Sequence, residues 1–353
     1  MNLNQYLEIA VQRKASDLHL IAGSPPVLRI DGQLLPAGES ALTSELARDL
    51  VHQALSPEQK EQLTINKELD FSFSYSSTAR FRVNAYYQRG SVAAAFRIIP
   101  MSIPSIDQLN LPKICHQFTV LRQGFILVTG PTGHGKSTTL AAILDEINRT
   151  RPVHIVTIED PIEFVFSPQR AMISQREMRA DTHSWEVALR SALREDPDVV
   201  LVGEMRDYET IASALTIAET GHLVFATLHT NSAAQTIDRI IDVFPREQQN
   251  QVRIQLAMTI EAVLSLRLLP ALPSGRIPAY EVMVATPAVK SSIREGKTHQ
   301  LDNIIQTSGQ LGMVTLENTL TMLVKAGKVS LNIAKEFSLR PEEVTRLVTG
   351  KSG

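Results

Sequence analysis

A single cysteine, Cys115, is present among the 353 residues of this sequence. One thiol excludes an internal disulfide framework and a zinc site built from CxxC pairs, and it fits a reducing cytosol. An excess of positive charge is also missing, because 35 Lys and Arg residues face 37 Asp and Glu residues, giving a net charge of −2 at pH 7. A near-neutral chain has no bulk attraction to nucleic acid, which disfavours a protein that acts on DNA.

The sequence also has no long hydrophobic run. No apolar stretch approaches the ~20 residues that cross a bilayer, and the opening stretch MNLNQYLEIAVQRK lacks the basic start and apolar centre of a secretory signal. We therefore expect a cytoplasmic protein whose role at any membrane is peripheral. In other respects the composition is ordinary for a globular protein, with 43% apolar residues. The length of 353 residues suggests about two domains.

The first part of the chain, residues 1–99, has the pattern of a small α+β domain. Helical spacing and strand-like alternation of apolar residues both occur in it, and Asp31-Gly32 is a hairpin signal. The predicted helices cover 3–11, 43–55 and 57–63, and the predicted strands cover 18–21, 27–30, 69–75, 79–85 and 92–99. Prolines punctuate residues 100–112, which predicts an interdomain linker.

From residue 113 to residue 353, short apolar strands alternate with helices, which predicts an α/β domain with a mainly parallel sheet. The predicted strands cover 125–129, 154–158, 199–202 and 223–228. Each strand is followed by polar or charged residues. Ligands of open parallel sheets bind at the carboxyl ends of the strands, so we expect these polar residues to gather there.

A glycine-rich loop directly follows the first of these strands and matches G-x-x-x-x-G-K-[ST] at every fixed position. Gly133 and Gly135 allow backbone shapes in which successive N–H groups converge on phosphate oxygens, at the positive end of the next helix. Lys136 is placed to reach the β- and γ-phosphates, and the Ser137 hydroxyl to ligate Mg²⁺. The predicted nucleotide-binding residues are Gly130, Pro131, Thr132, Gly133, His134, Gly135, Lys136, Ser137 and Thr138.

Two acidic segments follow the next two strands. In TIEDPIEF, Glu163 is a candidate to orient and polarise an attacking water, and Glu159 or Asp160 to lie in the outer shell of Mg²⁺; an acidic turn in solvent is the alternative. The segment DVVLVGE ends at Glu204, in a Walker B arrangement with glutamate where aspartate is commoner. Glu204 either holds Mg²⁺ through water or is the catalytic carboxylate, and the sequence leaves the division of roles between Glu163 and Glu204 open.

Two histidines bracket the fourth strand, His222 before it and His229 after it. Their odd separation places the rings on opposite faces of a continuous strand, so a shared metal ion is not expected. His229 lies at the carboxyl end, where it or Thr227 can sense the γ-phosphate. His222 follows Gly221, a helix-ending residue, and packing or capping is its alternative role.

Taken in order, four segments resemble the Walker A, Asp box, Walker B and His box of the secretion-type hexameric ATPases. They are GPTGHGKST, TIEDPIEF, ALREDPDVVLVGEMRD and TGHLVFATLHTNSAAQTIDR. Within that superfamily the chain resembles the type IV pilus retraction ATPases over nearly its whole length. The flanking segments that carry this resemblance are ASDLHLIAGSPPVLRIDGQL, RFRVNAYYQRG and IIQTSGQLGMVTLENTL.

The resemblance implies an N-terminal PAS-like domain, a C-terminal RecA-like ATPase domain and a homohexamer with ATP at the domain and subunit boundaries. It implies an ATP- and Mg²⁺-dependent motor for pilus retraction in twitching motility, with DNA uptake as a further use. The implied partners are an inner-membrane pilus platform protein and a paralogous retraction ATPase, at the inner face of the cytoplasmic membrane. No nucleic acid partner is expected.

The same resemblance assigns Lys136 and Ser137 to phosphate and Mg²⁺, Glu163 and Glu204 to hydrolysis, and both histidines to the His box. Arginines of the N-terminal domain approach the nucleotide in such ATPases. Two arginines stand on the matching strands, Arg82 and Arg97, with ordinary surface charge as the alternative.

Two departures from the family pattern stand out. His134 replaces a more familiar serine or alanine, and we expect its side chain to point away from the nucleotide. Residues 288–295, AVKSSIRE, match only the ends of the AIRNLIRE motif of retraction ATPases, which bears on partner coupling rather than on ATP chemistry.

Three alternatives to a retraction motor stay open. A pilus-assembly or secretion ATPase usually carries an extra N-terminal domain and a four-cysteine zinc site, neither of which is expected here. A DNA-translocating RecA-type motor predicts a basic channel, against the near-neutral composition. A non-hydrolysing accessory subunit is disfavoured by intact Lys136, Glu163 and Glu204.

Overall fold

The structure, a computed structural model, describes residues 2–30, 32–76, 79–99 and 102–350. The chain divides into two compact units, Met1–Ser102 and Ile103–Gly353. Each unit packs helices on a sheet of its own, so the predicted α/β fold class is confirmed. Asp31 of the predicted hairpin and Pro100 and Met101 of the predicted linker lie outside the described residues.

The first unit is an antiparallel sheet with helices on one face. Its helices are α1 (Leu3–Gln12), α2 (Ser44–His52) and α3 (Pro57–Asn66). Its strands are β1 (Asp17–Leu20), β2 (Val27–Ile30), β3 (Gln33–Pro36), β4 (Glu68–Ser76), β5 (Ala79–Gln88) and β6 (Ser91–Ile99), in the order β3-β2-β1-β6-β5-β4. Strands β2 and β3 pair from Ile30 to Gln33, as the hairpin signal predicts.

Period-two alternation explains which face of this sheet is covered. Phe81 and Val83 of β5 alternate with polar neighbours, and they are buried in one apolar cluster with Phe96 of β6, Leu7 of α1 and Leu50 of α2. The intervening Arg80, Arg82 and Asn84 of β5 therefore occupy the opposite face. Side-chain alternation thus makes one face a core and the other a polar surface.

The second unit contains a seven-stranded sheet. Its strands are β7 (Gly124–Thr129), β8 (His154–Glu159), β9 (Met172–Glu177), β10 (Val199–Val202), β11 (Leu223–Leu228), β12 (Ile260–Pro270) and β13 (Arg276–Val284). The strand order is β13-β12-β7-β11-β10-β8-β9. All neighbours are parallel except β12 and β13, which are antiparallel. The four predicted strands of this region are confirmed, whereas β9, β12 and β13 were not predicted.

Helices cover both faces of this sheet. They are α4 (Ile114–Val120), α5 (Lys136–Thr150), α6 (Trp185–Ala192), α7 (Tyr208–Glu219), α8 (Ala233–Asp242), α9 (Arg246–Thr259), α10 (Pro287–Arg294), α11 (Leu301–Thr307), α12 (Leu316–Lys325), α13 (Leu331–Phe337) and α14 (Pro341–Thr349). Two separate apolar clusters lie on the two faces, one with Phe125 and Leu127 of β7 and the other with Ile126 and Val128. Strands buried on both faces are the expected result of continuous apolar runs.

The segment from residue 103 to residue 112, which the sequence predicts as linker, packs with the second unit. The prolines of this segment alternate with apolar residues, and these apolar residues pack against the second unit. Ile106 and Leu111 are therefore buried in the cluster that contains Ile126 and Val128. The boundary between the compact units falls at Ser102 and Ile103 instead.

The sole cysteine, Cys115, is buried in the same cluster. Burial raises the pKa of its thiol to about 12, with a smaller contribution from the charge of Glu146. The thiol is therefore protonated and shielded near neutral pH.

The last three helices form a subdomain on the β12–β13 hairpin. Leu269 and Ile277 of the hairpin are buried with Leu316, Ala334 and Val344 of α12 to α14. In the described part of the chain, no helix combines the length and the apolar character that a bilayer crossing needs.

Candidate active site

The glycine-rich loop joins the end of β7 to the start of α5. Gly133 and Gly135 have φ of +79° and +86°, so both adopt the left-handed backbone that the sequence predicted for them. Gly130 has φ of +139°, and a Cβ there would lie 2.4 Å from the carbonyl oxygen of Leu266 on β12. Only glycine fits this position, because the neighbouring strand backbone is fixed by the sheet.

Lys136 is the first residue of α5 and is only 8% exposed. Its Nζ donates to the carbonyl oxygens of Gly130 (2.9 Å) and Pro131 (3.0 Å) and lies 3.4 Å from Nδ1 of His229. Burial lowers the pKa of Lys136, and the charges of Glu204 and Glu163 oppose that shift. The ammonium group is thus held inside the loop with carboxylates near it.

Glu204 lies just beyond β10, between the side chains of Arg206 and His229. Its Oε1 is 3.0 Å from Nε2 of His229, and its Oε2 accepts a hydrogen bond of 2.7 Å from Arg206. Burial acts to raise the pKa of Glu204, but the hydrogen bond and charge of Arg206, followed by His229, outweigh it and hold the pKa below its usual value. The group is therefore an ionised carboxylate at neutral pH.

His229 connects this carboxylate to the glycine-rich loop. Its Nε2 faces Glu204, while its Nδ1 lies 3.4 Å from the hydroxyl of Thr132 and from Nζ of Lys136. Thr227, the other candidate sensor, instead donates its hydroxyl to the carbonyl oxygen of Gly203 at 2.5 Å. The structure therefore places His229, and not Thr227, against the loop.

The acidic segment after β8 separates into different environments. Glu159 is buried and accepts hydrogen bonds from Thr157 (2.7 Å) and Gln175 (3.3 Å); burial raises its pKa to about 7. Asp160 pairs with Arg179 at 3.4 Å. Glu163 is exposed, and its negative charge acts to raise the pKa of Lys136. The backbone N–H of Gly203 donates to Ile158 (2.8 Å), which puts this segment beside Glu204.

A nucleotide with Mg²⁺ fits this chemistry. Loop backbone N–H groups and Lys136 suit phosphate oxygens, and Ser137 and Glu204 supply the oxygens that Mg²⁺ prefers. Within residues 2–30, 32–76, 79–99 and 102–350, no cluster of three or more histidine, cysteine or carboxylate side chains is arranged to hold a metal on its own. A magnesium ion here would need the phosphates as ligands too, as is usual in such sites.

Comparison with known proteins agrees with this geometry. The family model of the type II/IV secretion system proteins matches residues 1–336. The chain belongs to this family. The type IV pilus retractation ATPase PilT of Pseudomonas aeruginosa is 46% identical to it over 97% of this chain and 99% of that protein. The twitching motility protein of Neisseria gonorrhoeae is 44% identical over 93% of this chain and 87% of that protein.

A solved structure extends the likeness to the fold. The crystal structure of the pilus retraction motor PilT with bound ADP matches with a TM-score of 0.93 at 46% identity, covering 98% of this chain and 99% of that chain. The predicted architecture, a PAS-like N-terminal domain followed by a RecA-like P-loop domain, is confirmed by this match. The resemblance read from the four ordered motifs is confirmed as well.

His222 is the predicted family residue that the fold keeps away from the loop. It precedes β11, whereas His229 follows it, so the two histidines lie at opposite ends of one strand. Nδ1 of His222 is 3.0 Å from the carbonyl oxygen of Ile217 and from the hydroxyl of Thr220, at the end of α7. This contact is the capping arrangement that the sequence offered as the alternative role.

His134, at the variable position of the loop, contacts β12 and α13. Its Nδ1 accepts the backbone N–H of Leu268 at 3.0 Å, and its ring centroid lies 6.0 Å from that of Phe337 on α13. Burial, followed by the charges of Arg267 and Lys136, lowers the pKa of His134. The side chain is thus directed toward β12 and the C-terminal helices.

Arg82 and Arg97 face each other on β5 and β6 of the first unit. Arg97 donates from Nε to the buried carboxylate of Asp17 at 3.0 Å, while its side chain remains 69% exposed. Like charges directly opposite on neighbouring strands are unfavourable, and the ion pair of Arg97 with Asp17 offsets part of that repulsion. Their role toward nucleotide stays a prediction.

Sequence reasoning did not assign Arg206 or the buried Arg267. The DVVLVGEMRD segment contains Arg206 two residues after Glu204, a spacing that could have suggested an ion pair. Arg267 gives no comparable signal, because its partners Asn231 and Leu266 meet it only through the fold.

Proposed function

We propose that this chain is a Mg²⁺-dependent ATPase whose homohexamer powers retraction of type IV pili. The observation that carries the proposal is the contact set around His229, which joins Glu204 at 3.0 Å to Lys136 at 3.4 Å across the ends of two strands. A hydrolytic site needs a phosphate-binding cation and an ionised carboxylate close together. The near-full-length likeness to proteins named as pilus retraction and twitching motility ATPases supplies the mechanical role.

In this site each side chain has a distinct task. The loop backbone and Lys136 bind the phosphates, and Ser137 and Glu204 would hold Mg²⁺, which when bound neutralises phosphate charge. Glu204, with Glu163 nearby, orients the attacking water. His229 senses the position of the γ-phosphate and transmits it to Glu204 through their contact. Arg82 and Arg97 donate hydrogen bonds to phosphate oxygens and offset their negative charge.

The motor role follows from coupling the site to movement of the two units. Domain closure around a nucleotide is a common way to convert binding and hydrolysis into displacement. Repeated around a ring, such closures would drive a platform protein at the inner face of the cytoplasmic membrane, with a paralogous retraction ATPase as a second partner. No nucleic acid is required.

Steady-state ATP turnover by the purified chain tests the chemistry. We expect Mg²⁺-dependent phosphate release that Lys136→Ala abolishes while the protein stays folded. Lys325→Ala, an exposed lysine on α12, is the matched control and should retain turnover. Undiminished phosphate release by Lys136→Ala would contradict the assignment of the site.

Deletion of the gene tests the direction of movement. Long surface pili with lost twitching motility are expected for a retraction motor. Absent pili would instead support an assembly ATPase, and normal pili with normal motility would support an accessory subunit. Turnover that rises on addition of DNA would point to a nucleic-acid motor.

A further inference from the structure

Strand β12 touches both sides of the candidate active site within three residues. The carbonyl oxygen of Leu266 lies against Gly130 of the loop, and the N–H of Leu268 donates to His134 at 3.0 Å. Between them, the side chain of Arg267 extends toward the segment that follows β11. Residues 266–268 therefore contact the phosphate-binding loop and the segment after His229 at the same time.

Arg267, itself buried, holds that segment through a partly buried fork of hydrogen bonds. Its guanidinium donates to the side-chain oxygen of Asn231 (2.8 Å), to the backbone oxygen of Asn231 (3.3 Å) and to the carbonyl oxygen of Leu266 (3.0 Å). Arg267 is only 6% exposed. Asn231 is two residues beyond His229, so the fork fixes the backbone immediately after the histidine.

A buried guanidinium is costly unless it is paired and hydrogen-bonded. Burial lowers the pKa of Arg267, and the charges of two buried carboxylates, Glu281 and Glu317, oppose that shift. Glu281 also accepts the N–H of Ala233, the first residue of α8, at 2.7 Å. The same polar cluster therefore anchors the chain at Asn231 and at Ala233.

We propose that Arg267, acting through Asn231, is a positioning residue that fixes His229 between Glu204 and Lys136. The inference rests on the proposed ATPase function and adds a residue to it. Arg267 reaches the reacting groups only through the segment it anchors. Loss of the fork should therefore slow turnover more than it weakens nucleotide binding, because the loop itself is left intact.

Replacing Asn231 tests the inference more directly than replacing the buried Arg267, because Asn231 is exposed and its replacement leaves the core unchanged. Asn231→Ala removes the acceptor for the shortest Arg267 contact, and we expect kcat to fall about tenfold with the Kd for ADP changed less than about twofold. Asn231→Asp keeps an acceptor for the guanidinium and should retain at least about half of the wild-type kcat. Asn250→Ala, an exposed asparagine on α9, is the matched control.

The conservative variant Arg267→Lys separates geometry from charge. Lysine keeps the charge but lacks the planar fork, so we expect a loss of kcat like that of Asn231→Ala. The double variant should lose no more than about twofold beyond either single variant, since both break one contact. Thermal unfolding is measured in parallel, and if Arg267→Lys does not fold, the two Asn231 variants decide the question.

Two results would overturn the inference. One is wild-type kcat in Asn231→Ala, and the other is an equal loss of kcat and ADP affinity in that variant, which marks a general structural role. These outcomes are distinct from failure of the proposed function. That failure would appear as a wild-type protein without phosphate release, or as full turnover by Lys136→Ala.

Discussion

At the scale of single residues, Glu204 has a different nitrogen donor beside each of its carboxylate oxygens. Arg206 is near Oε2 and His229 is near Oε1. This arrangement keeps the group ionised in a half-buried position. An ionised carboxylate that accepts a hydrogen bond from water can orient that water for attack on phosphorus.

Glu204→Gln should therefore separate binding from hydrolysis. The amide keeps the shape but removes the charge, so we expect kcat to fall by roughly 100-fold or more. ADP affinity, measured by titration of a fluorescent analogue, should stay within about threefold of wild type. Glu209→Gln, an exposed glutamate on α7, is the control. Wild-type turnover by Glu204→Gln would move the hydrolytic role to Glu163.

His116 is a second charge-sensitive residue, away from the phosphate loop. Its Nδ1 is 2.9 Å from Glu146 on α5, and its Nε2 is 3.3 Å from Asp107. The hydrogen bond with Glu146 raises the pKa of His116, with Asp107 adding to the shift and burial opposing it. The protonated ring is thus favoured in the folded protein.

The stability contributed by this ion pair should depend on pH. The pKa of His116 is higher in the folded protein than its unfolded value of 6.5, so protonation of the ring favours folding. This stabilisation is complete at pH values below the unfolded pKa, and it disappears as the pH rises through the folded-state pKa. We expect His116→Gln to lower the free energy of unfolding more at about pH 5.5 than at about pH 8.5. Urea denaturation at both pH values measures this, with exposed His299→Gln as control. An equal loss at both pH values would contradict it.

The residues that sequence could identify are those whose roles are local. Lys136 and the loop glycines act through neighbours in the chain, and the pattern alone fixed their positions. The Arg267 fork depends on β12 lying beside β7, a pairing that no short motif encodes. The separation of His222 from His229 is local as well, because the continuous apolar run between them already predicts a strand.

At the scale of elements, the glycine-rich loop is limited by the strand beside it. Gly130 combines a left-handed φ with a close approach to Leu266, whereas Gly327, after α12, has φ of +68° and open space around it. A methyl group at Gly327 therefore costs only the conformational energy of a left-handed φ for a residue with a Cβ. At Gly130 a methyl group has the same conformational cost and, in addition, clashes with the carbonyl oxygen of Leu266.

Gly327→Ala should cost about 1 kcal/mol of unfolding free energy, the left-handed penalty for a residue with a Cβ. Gly130→Ala should cost about 1–3 kcal/mol more, from overpacking against β12, and should abolish ADP binding because the loop must move. Chemical denaturation and ADP titration of both variants check this. Equal stabilities, or normal ADP binding by Gly130→Ala, would contradict the steric reading.

The strands that the sequence revealed are those with continuous apolar runs bounded by polar residues. Strand β9 lies at the edge of the sheet and four of its six residues are polar, so its apolar pattern is weak. Strand β12 begins at Ile260, directly after α9 ends at Thr259, and no turn residue marks the change. The Pro273-Ser-Gly275 turn between two apolar runs was the available signal for the β12–β13 hairpin.

At the scale of the whole molecule, the second unit has its own core on each face of its sheet. The loop, Glu204 and His229 all lie in this unit. Residues 103–112, which read as a linker because of their prolines, contribute two buried side chains to it. The sequence could show that two domains exist, but the boundary depends on packing partners that are distant in sequence.

A fragment of residues 103–353 should therefore fold and bind ADP with a Kd within about threefold of the full chain. It should lose ATP turnover, because the proposed phosphate donors Arg82 and Arg97 lie in the first unit. Calorimetric titration and phosphate release measure the two properties, with Lys136→Ala in the fragment as the non-binding control. Full turnover by the fragment would remove both arginines from the reaction.

The buried thiol of Cys115 makes the native chain almost inert to sulfhydryl reagents. A cysteine placed at an exposed position in each unit would then carry spectroscopic labels without removal of any natural residue. Energy transfer between such a pair would follow the separation of the two lobes through a turnover cycle.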